Sequence, residues 1–230
     1  MNIKPILFTT VLVCAMLTVD APVASAQGSG NKTLPHFLFP EFREGVVIMK
    51  ADKPFSTRLN YNMLEQRMVT EFNGAYRYSK DPALIDSVLI ENRVFAPVDG
   101  KFYEVISRGR FTFMVQHRAT LIVAGNDVGY GVKSQSTGPT QYKRFEMNSY
   151  WGDVAYLEIP AEGEVKVAPV FWVSQGTVPE KFSNARQLMK IMPGYEPVIR
   201  EYMEKEEVNF KSAEDLAKLG DYLNKFAGEN

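Results

Sequence analysis

The spacing of turn signals constrains this chain most. Asp52-Lys53-Pro54, Asn73-Gly74, Lys80-Asp81-Pro82, Asp99-Gly100 and Arg108-Gly109 punctuate its first half at short, regular intervals. Segments that short cannot carry a stable helix, which needs several turns, but they fit strands joined by hairpins. Asn-Gly and Asp-Gly are the strongest of these signals, because both residues tolerate the positive φ of a tight hairpin turn. The stretches between them predict strands at Gly45–Ala51, Phe55–Tyr61, Leu64–Phe72, Ala75–Ser79, Leu84–Ile90, Arg93–Phe95, Phe102–Ile106, Phe111–Val115 and Ala119–Ala124, with a break near Asn62. Two more strands are expected at Val154–Ile159 and Val165–Val173. In the last, Val165, Val167, Pro169, Phe171 and Val173 share one parity, and Pro169 signals an edge or a bulge.

The C-terminal part changes period from two to 3.6. Ala185, Leu188, Met189 and Met192 follow a helical spacing, with Ser183 as the expected cap and Pro193-Gly194 as the stop. Glu196–Lys205 pairs Val198 with Tyr202 and Ile199 with Met203 at i, i+4. Ser212 caps a final helix whose Glu214 and Asp215 suit the positive end of the helix dipole. Its buried stripe is expected to be Leu216, Leu219, Leu223 and Phe226. The fold class expected is therefore mainly β, an antiparallel meander (open barrel or sandwich-like), with two or three C-terminal helices packed on it.

The N-terminus reads as an export signal. Lys4 precedes an uncharged run from Ile6 to Val19, which is too short to span a bilayer, and Ala24-Ser25-Ala26 supplies an A-x-A cleavage site before Gln27. The expected organisation is a signal peptide at 1–26, a flexible leader at 27–38, and one β-rich domain at 39–230 whose helices fall at about 183–226. Leu34 to Phe42, Leu-Pro-His-Phe-Leu-Phe-Pro-Glu-Phe, holds two prolines that forbid a regular central strand. It is read as an extended segment tucking its aromatics on the core, with an exposed docking tail as the alternative. Cys14 is the one cysteine in the chain. It lies inside the apolar run after Val13, which is not a lipoprotein context, so the exported form has no thiol for a disulfide, a nucleophile or zinc.

Composition excludes further classes. With 26 basic against 27 acidic residues, interspersed, no basic stripe points to nucleic acid. No second long apolar run follows the signal, so no transmembrane helix is expected in the exported form. No G-x-S-x-G, phosphate-binding loop or dinucleotide fingerprint is present. The two histidines, His36 and His117, lack close-spaced companion ligands, so neither a metal nor any other cofactor is expected. Asp86, Glu104, Glu146, Asp153 and Glu158 could supply a glycosidase pair, but sequence spacing cannot bring two of them together.

Gly125 to Trp151 departs from the regular rhythm. It holds Gly125, Gly129, Gly131 and Gly138 together with Tyr130, Tyr142, Tyr150 and Trp151. Long connections inside compact domains are commonly functional, and aromatic rings on loops stack on sugars and anchor interfaces. Tyr130, Tyr142, Tyr150 and Trp151 are accordingly the candidate binding residues, the alternative being that they fold back to cap the sheet.

The strand Val170-Phe171-Trp172-Val173, the stretch Phe182-Ser183-Asn184-Ala185-Arg186-Gln187-Leu188, the helix Val198-Ile199-Arg200-Glu201-Tyr202-Met203 and the closing Leu219-Gly220-Asp221-Tyr222-Leu223-Asn224 follow one another in order. That order resembles a group of exported proteins from Gram-negative bacteria of the Bacteroides and Flavobacterium type. Leu59-Asn60-Tyr61-Asn62 and Gly129-Tyr130-Gly131 extend the resemblance. It implies export, a β-meander and a helical tail, and it assigns no activity or site. The function expected is a periplasmic or outer-surface binding or scaffolding module rather than an enzyme, its partner another envelope protein or a glycan. The rival is an envelope glycan hydrolase acting through two carboxylates.

Overall fold

The computed structural model describes residues 34–72, 75–79, 81–123, 159, 163–176 and 178–229. All of these belong to one compact unit, Thr33–Asn230. Nine strands come first: β1 (Arg43–Met49), β2 (Phe55–Asn62), β3 (Arg67–Phe72), β4 (Ala75–Tyr78), β5 (Ile85–Ile90), β6 (Arg93–Val98), β7 (Lys101–Ser107), β8 (Thr112–Gln116) and β9 (Ala119–Val123). After them come β10 (Gly163–Val167), β11 (Val170–Ser174), β12 (Glu180–Phe182) and the helices α1 (Ala185–Ile191), α2 (Glu196–Lys205) and α3 (Ala213–Glu229). Ten strands form one open antiparallel sheet in the order β12-β11-β8-β7-β6-β5-β1-β2-β3-β4, and β9 and β10 form a separate two-stranded ribbon. The mainly β, open meander with C-terminal helices is thus the observed architecture.

Local chemistry accounts for the hairpins. Asp99 and Gly100 have φ of 48° and 75°, and Val98 pairs with Lys101 across them. That is the turn an Asp-Gly pair favours. Asn62 ends β2 because its side-chain oxygen accepts from the N–H groups of both Leu64 and Glu65, at 3.0 and 3.3 Å. Side chains of this kind offer the backbone a turn in place of a strand. Gln66 follows with φ 59°, so β3 starts at Arg67, later than the Leu64 expected. The expected Val165–Val173 strand is two strands, interrupted at Ala168-Pro169 because proline has no N–H for the ladder. β12 was not anticipated, being short and partly charged, and the strand expected at Val154–Ile159 falls almost wholly outside the described residues.

Two large apolar clusters lie along the sheet. The first joins Phe39, Val47, Leu59, Tyr61, Met68, Val88, Ile90, Phe95 and Phe102. The Leu34–Phe42 strap runs alongside the end of β2, giving Phe39 to this cluster and Phe37 and Phe42 to a smaller one with Val69 and Tyr78. Leu38 N donates to Tyr61 O, Met63 N donates to His36 O, and Asn60 holds both the N–H and the carbonyl of Phe39. His36, Phe37, Phe39 and Phe42 are all buried, so the aromatics are tucked in, and packing begins ahead of Phe39, where the body was expected to start.

The second cluster joins Phe111, Phe113, Val115, Phe171, Val173 and Phe182 to Leu188, Met192, Ile199, Leu216, Leu219 and Leu223. The helices therefore pack on the sheet. Asn184 caps α1 by accepting from Gln187 N at 3.0 Å, correcting the cap expected at Ser183, whose own N–H is held by the Gln187 side chain. Ser212 caps α3 as expected, its hydroxyl accepting from Asp215 N at 3.2 Å. Phe226 is the exception to the buried stripe: it is exposed at the rim against Tyr195. α3 lies so close to the sheet that a Cβ at Gly220 would come within 2.8 Å of Phe113 and Ser107 side-chain carbons. One turn later, Asn224 accepts from Phe111 N and donates to Phe111 O, both at 2.8 Å.

Candidate functional site

Between the two apolar clusters, on the same sheet face, sits a knot of charge. Phe95 of β6, Glu104 of β7 and Val115 of β8 stand opposite one another in register. Arg93 is two residues from Phe95 and His117 two from Val115, so both share the face of Glu104 and lie diagonal to it. Such diagonal neighbours are within reach of long side chains. Arg93 grips Glu104 in a two-point pair, Nε to Oε1 at 2.7 Å and Nη2 to Oε2 at 2.6 Å. His117 Nε2 lies 2.6 Å from Glu104 Oε2. A contact that short to a carboxylate requires the hydrogen on Nε2, so His117 donates.

The surroundings hold the knot in place. The Arg93 guanidinium lies over the rings of Phe39 and Phe95, at 5.1 and 5.5 Å, which combines cation–π attraction with cover from water. Tyr61 stacks on Phe95 at 5.8 Å, and its hydroxyl reaches the carbonyls of Phe102 and His117 at 2.9 and 3.1 Å. The β2–β3 turn closes over one end, where Gln116 Nε2 donates to Gln66 Oε1 and Phe102 N donates to Gln66 O.

Burial alone would raise the Glu104 pKa. The hydrogen bonds from His117 and Arg93, with the Arg93 charge, more than reverse that and lower it to about 2. Glu104 is therefore an anion throughout the neutral range, with no proton to give. That removes it as the general acid of a glycosidase pair, which needs a raised pKa. Asp86, the other described candidate, sits exposed at the β1–β5 bulge, bonded to Ser87, with β6 between its strand and that of Glu104. Glu146, Asp153 and Glu158 lie outside the described residues. Among the described residues no three His, Cys, Asp or Glu side chains converge as metal ligands, and no helix is long and apolar enough to cross a membrane.

Tyr130, Tyr142, Tyr150 and Trp151 also lie outside the described residues. What the structure does place is the base from which that stretch departs. β9 continues β8 past His117-Arg118, and β10 runs into β11 past Ala168-Pro169. Ala168 N donates to Arg118 O at 2.8 Å, and Val123 stands opposite Gly163 at the far end. The burial of the sheet is lost along the way: Phe171 and Val173 are enclosed, but Val167 is 52% exposed and Ile122 37%. Glu104 and His117 are separate candidates in the sequence, and no local pattern joins them to Arg93. The available signal was their two-residue offset from Phe102, Val115 and Phe95.

The comparisons add no kinship: no family model matches the chain, and neither does any curated protein or solved structure.

Proposed function

We propose that the chain is an exported envelope protein that works as a non-enzymatic binding or scaffolding module, with recognition concentrated on the β9–β10 ribbon and the stretch it carries. The observation that supports this reading is the ribbon itself. It continues the ladder of β8 and β11 away from their enclosed core, exposes Val167 and Ile122, and brings the two ends of the 124–162 stretch together at Val123 and Gly163. Val167 and Ile122 stand on opposite faces of the ribbon, so neither face of it is enclosed as the main sheet is. Within that stretch Tyr130, Tyr142, Tyr150 and Trp151 are the candidates, with the ring area to anchor a protein or a glycan. The locking of Glu104 by Arg93 and His117 fits a structural knot better than a reaction centre.

Replacing Tyr130 and Tyr142 together with alanine tests the proposal. Capture of envelope protein or glycan by the immobilised chain should fall at least about tenfold, the scale of losing a single hot-spot contact. The melting temperature should stay that of the unaltered chain. Unchanged capture by the folded variant places recognition elsewhere, and hydrolysis of envelope glycans by the unaltered chain overturns the non-enzymatic reading.

A further inference from the structure

The Leu34–Phe42 strap is seated on the sheet without belonging to its ladders. Phe37 forms an isolated bridge with Asn62, Leu38 N donates to Tyr61 O at 3.0 Å, and Met63 N donates to His36 O at 2.8 Å. Side chains hold the rest: Asn60 bonds the backbone of Phe39 and Glu41, and Arg58 Nη2 donates to Phe42 O. Lifting the strap therefore breaks none of the strand pairings that order the sheet. Segments attached in this way open as local units, at less cost than the whole fold.

His36 is the weak point of the seat. It is 2% exposed, its ring tilts against Phe37 at 4.6 Å, and its Nδ1 is buried with no hydrogen-bond partner among the described residues. A neutral ring tolerates this, because its hydrogen can sit on Nε2 and leave Nδ1 a bare lone pair. Protonation puts hydrogens on both nitrogens, so Nδ1 becomes an unpaired donor on a buried cation. The neighbouring polar groups are committed elsewhere. The Tyr61 hydroxyl donates to the carbonyls of Phe102 and His117, and Tyr78 Oη accepts from Asn62 Nδ2. Arg67 Nη2 donates to Ser79 O, and Glu41 pairs with Arg43 at 3.4 Å. Glu65, on the turn after β2, adds no charge effect at the ring either: among the described residues burial alone lowers the proton affinity of His36.

We propose that His36 is an acid-sensitive latch, whose protonation lifts the strap from β2 while the sheet stays folded. The lifted strap presents Phe37, Phe39 and Phe42, and it bares the Arg93 guanidinium that lies 5.1 Å from the Phe39 ring. The tucked segment and the exposed docking tail are then two states of one element. In water the ring recovers its ordinary pKa of 6.5, against about 4 when seated. The equilibrium for lifting should accordingly rise about thirtyfold between pH 7.5 and pH 5.

Hydrogen exchange of the full chain at those two values is the test. Corrected for intrinsic rates, protection of the Leu38 and Phe39 amides, and of the Met63 amide bonded to His36 O, should fall about thirtyfold at pH 5. The amides of β5 and α3 should keep their protection. His36→Leu should leave the strap protected at both values, and His36→Gln, also uncharged, serves as the second variant where leucine disturbs the fold. Strap amides that stay protected at pH 5 overturn the proposal, as does a folded variant that loses protection like the wild type. Loss of protection across the whole sheet at pH 5 overturns it too, because the acid step is then global unfolding.

Discussion

Replacing Glu104 with glutamine isolates the charge of the buried knot while nearly preserving its shape. A carboxyl lowered from 4.5 to about 2 binds its proton more weakly in the folded chain than in the unfolded one. Its stabilisation is therefore full above pH 4.5 and is lost as pH falls towards 2. At about 1.4 kcal/mol per tenfold change in proton affinity, the difference amounts to about 3 kcal/mol at neutral pH. Glutamine keeps one carbonyl oxygen to accept a hydrogen bond, but it sets an NH2 donor beside two donors and leaves Arg93, only 26% exposed, without its counter-ion. Breaking one member of a buried pair characteristically costs about 3–5 kcal/mol, so the two routes agree. Urea unfolding of wild type and Glu104→Gln at pH 7 and pH 3 is the assay. The gap between the two midpoints, converted through the common slope, should be about 3 kcal/mol at pH 7. By pH 3 it should shrink to about half or less of that value, because the wild-type carboxyl has by then given up most of its advantage. Acid-sensitive groups away from the knot act on both proteins equally and cancel in the difference. A gap of the same size at both values would mean that the glutamine lost shape or packing rather than charge, and the account of the knot would be wrong.

Three further outcomes are expected. Burial lowers the His36 pKa from 6.5 to about 4, so the unfolded chain takes up a proton first as pH falls; stability present above pH 6.5 is lost down to pH 4, and His36→Leu should flatten that part of the pH–stability curve by about 3 kcal/mol. An unchanged slope would show that the ring is solvated. Leu219→Asp puts a carboxylate where the side chain is fully buried against the sheet, and should lower the melting temperature by about ten degrees or prevent folding, at a cost of about 4 kcal/mol; an unmoved transition would mean that α3 does not dock. N-terminal sequencing of the chain recovered from outside the cytoplasm should begin at or beside Gln27, and lipid-labelled protein starting at Cys14 would overturn the reading of Cys14 as an ordinary residue of the apolar run.

The sequence was most legible where backbone chemistry is local. Asp99-Gly100 marks its turn because few other residue pairs accept two positive φ values, and Ser212 marks its helix because the hydroxyl bonds an amide three residues on. The helical stripe of Leu216, Leu219 and Leu223 could be read from spacing alone. It was least legible where the determinant is non-local. Arg93, Glu104 and His117 meet only because β6, β7 and β8 pair in one register, and no short-range pattern encodes that. Asn184 displaced Ser183 as a cap because Gln187 satisfies the serine, a competition between adjacent polar residues that composition cannot rank. Phe226 follows the stripe in sequence yet is exposed, its ring edge-on to Tyr195.

The bond between Asn224 and Phe111 joins residues 113 positions apart, and it has a consequence for the order of folding. The strap and the first nine strands pair mostly with near neighbours, so that part of the meander can zip up as it is made. The far half cannot. Phe113, Val115 and Phe171 wait for Phe182, Leu188, Met192 and Ile199, and their cover is complete only when α3, the final described element, supplies Leu216, Leu219 and Leu223. Until then a wide apolar face stands open beside unpaired strand edges, the combination that draws chains into aggregates. Folding of this chain is therefore split into an early, local half and a late half completed by the C-terminal helices, and a chain cut short before residue 213 is left with its second core open where Leu216, Leu219 and Leu223 belong.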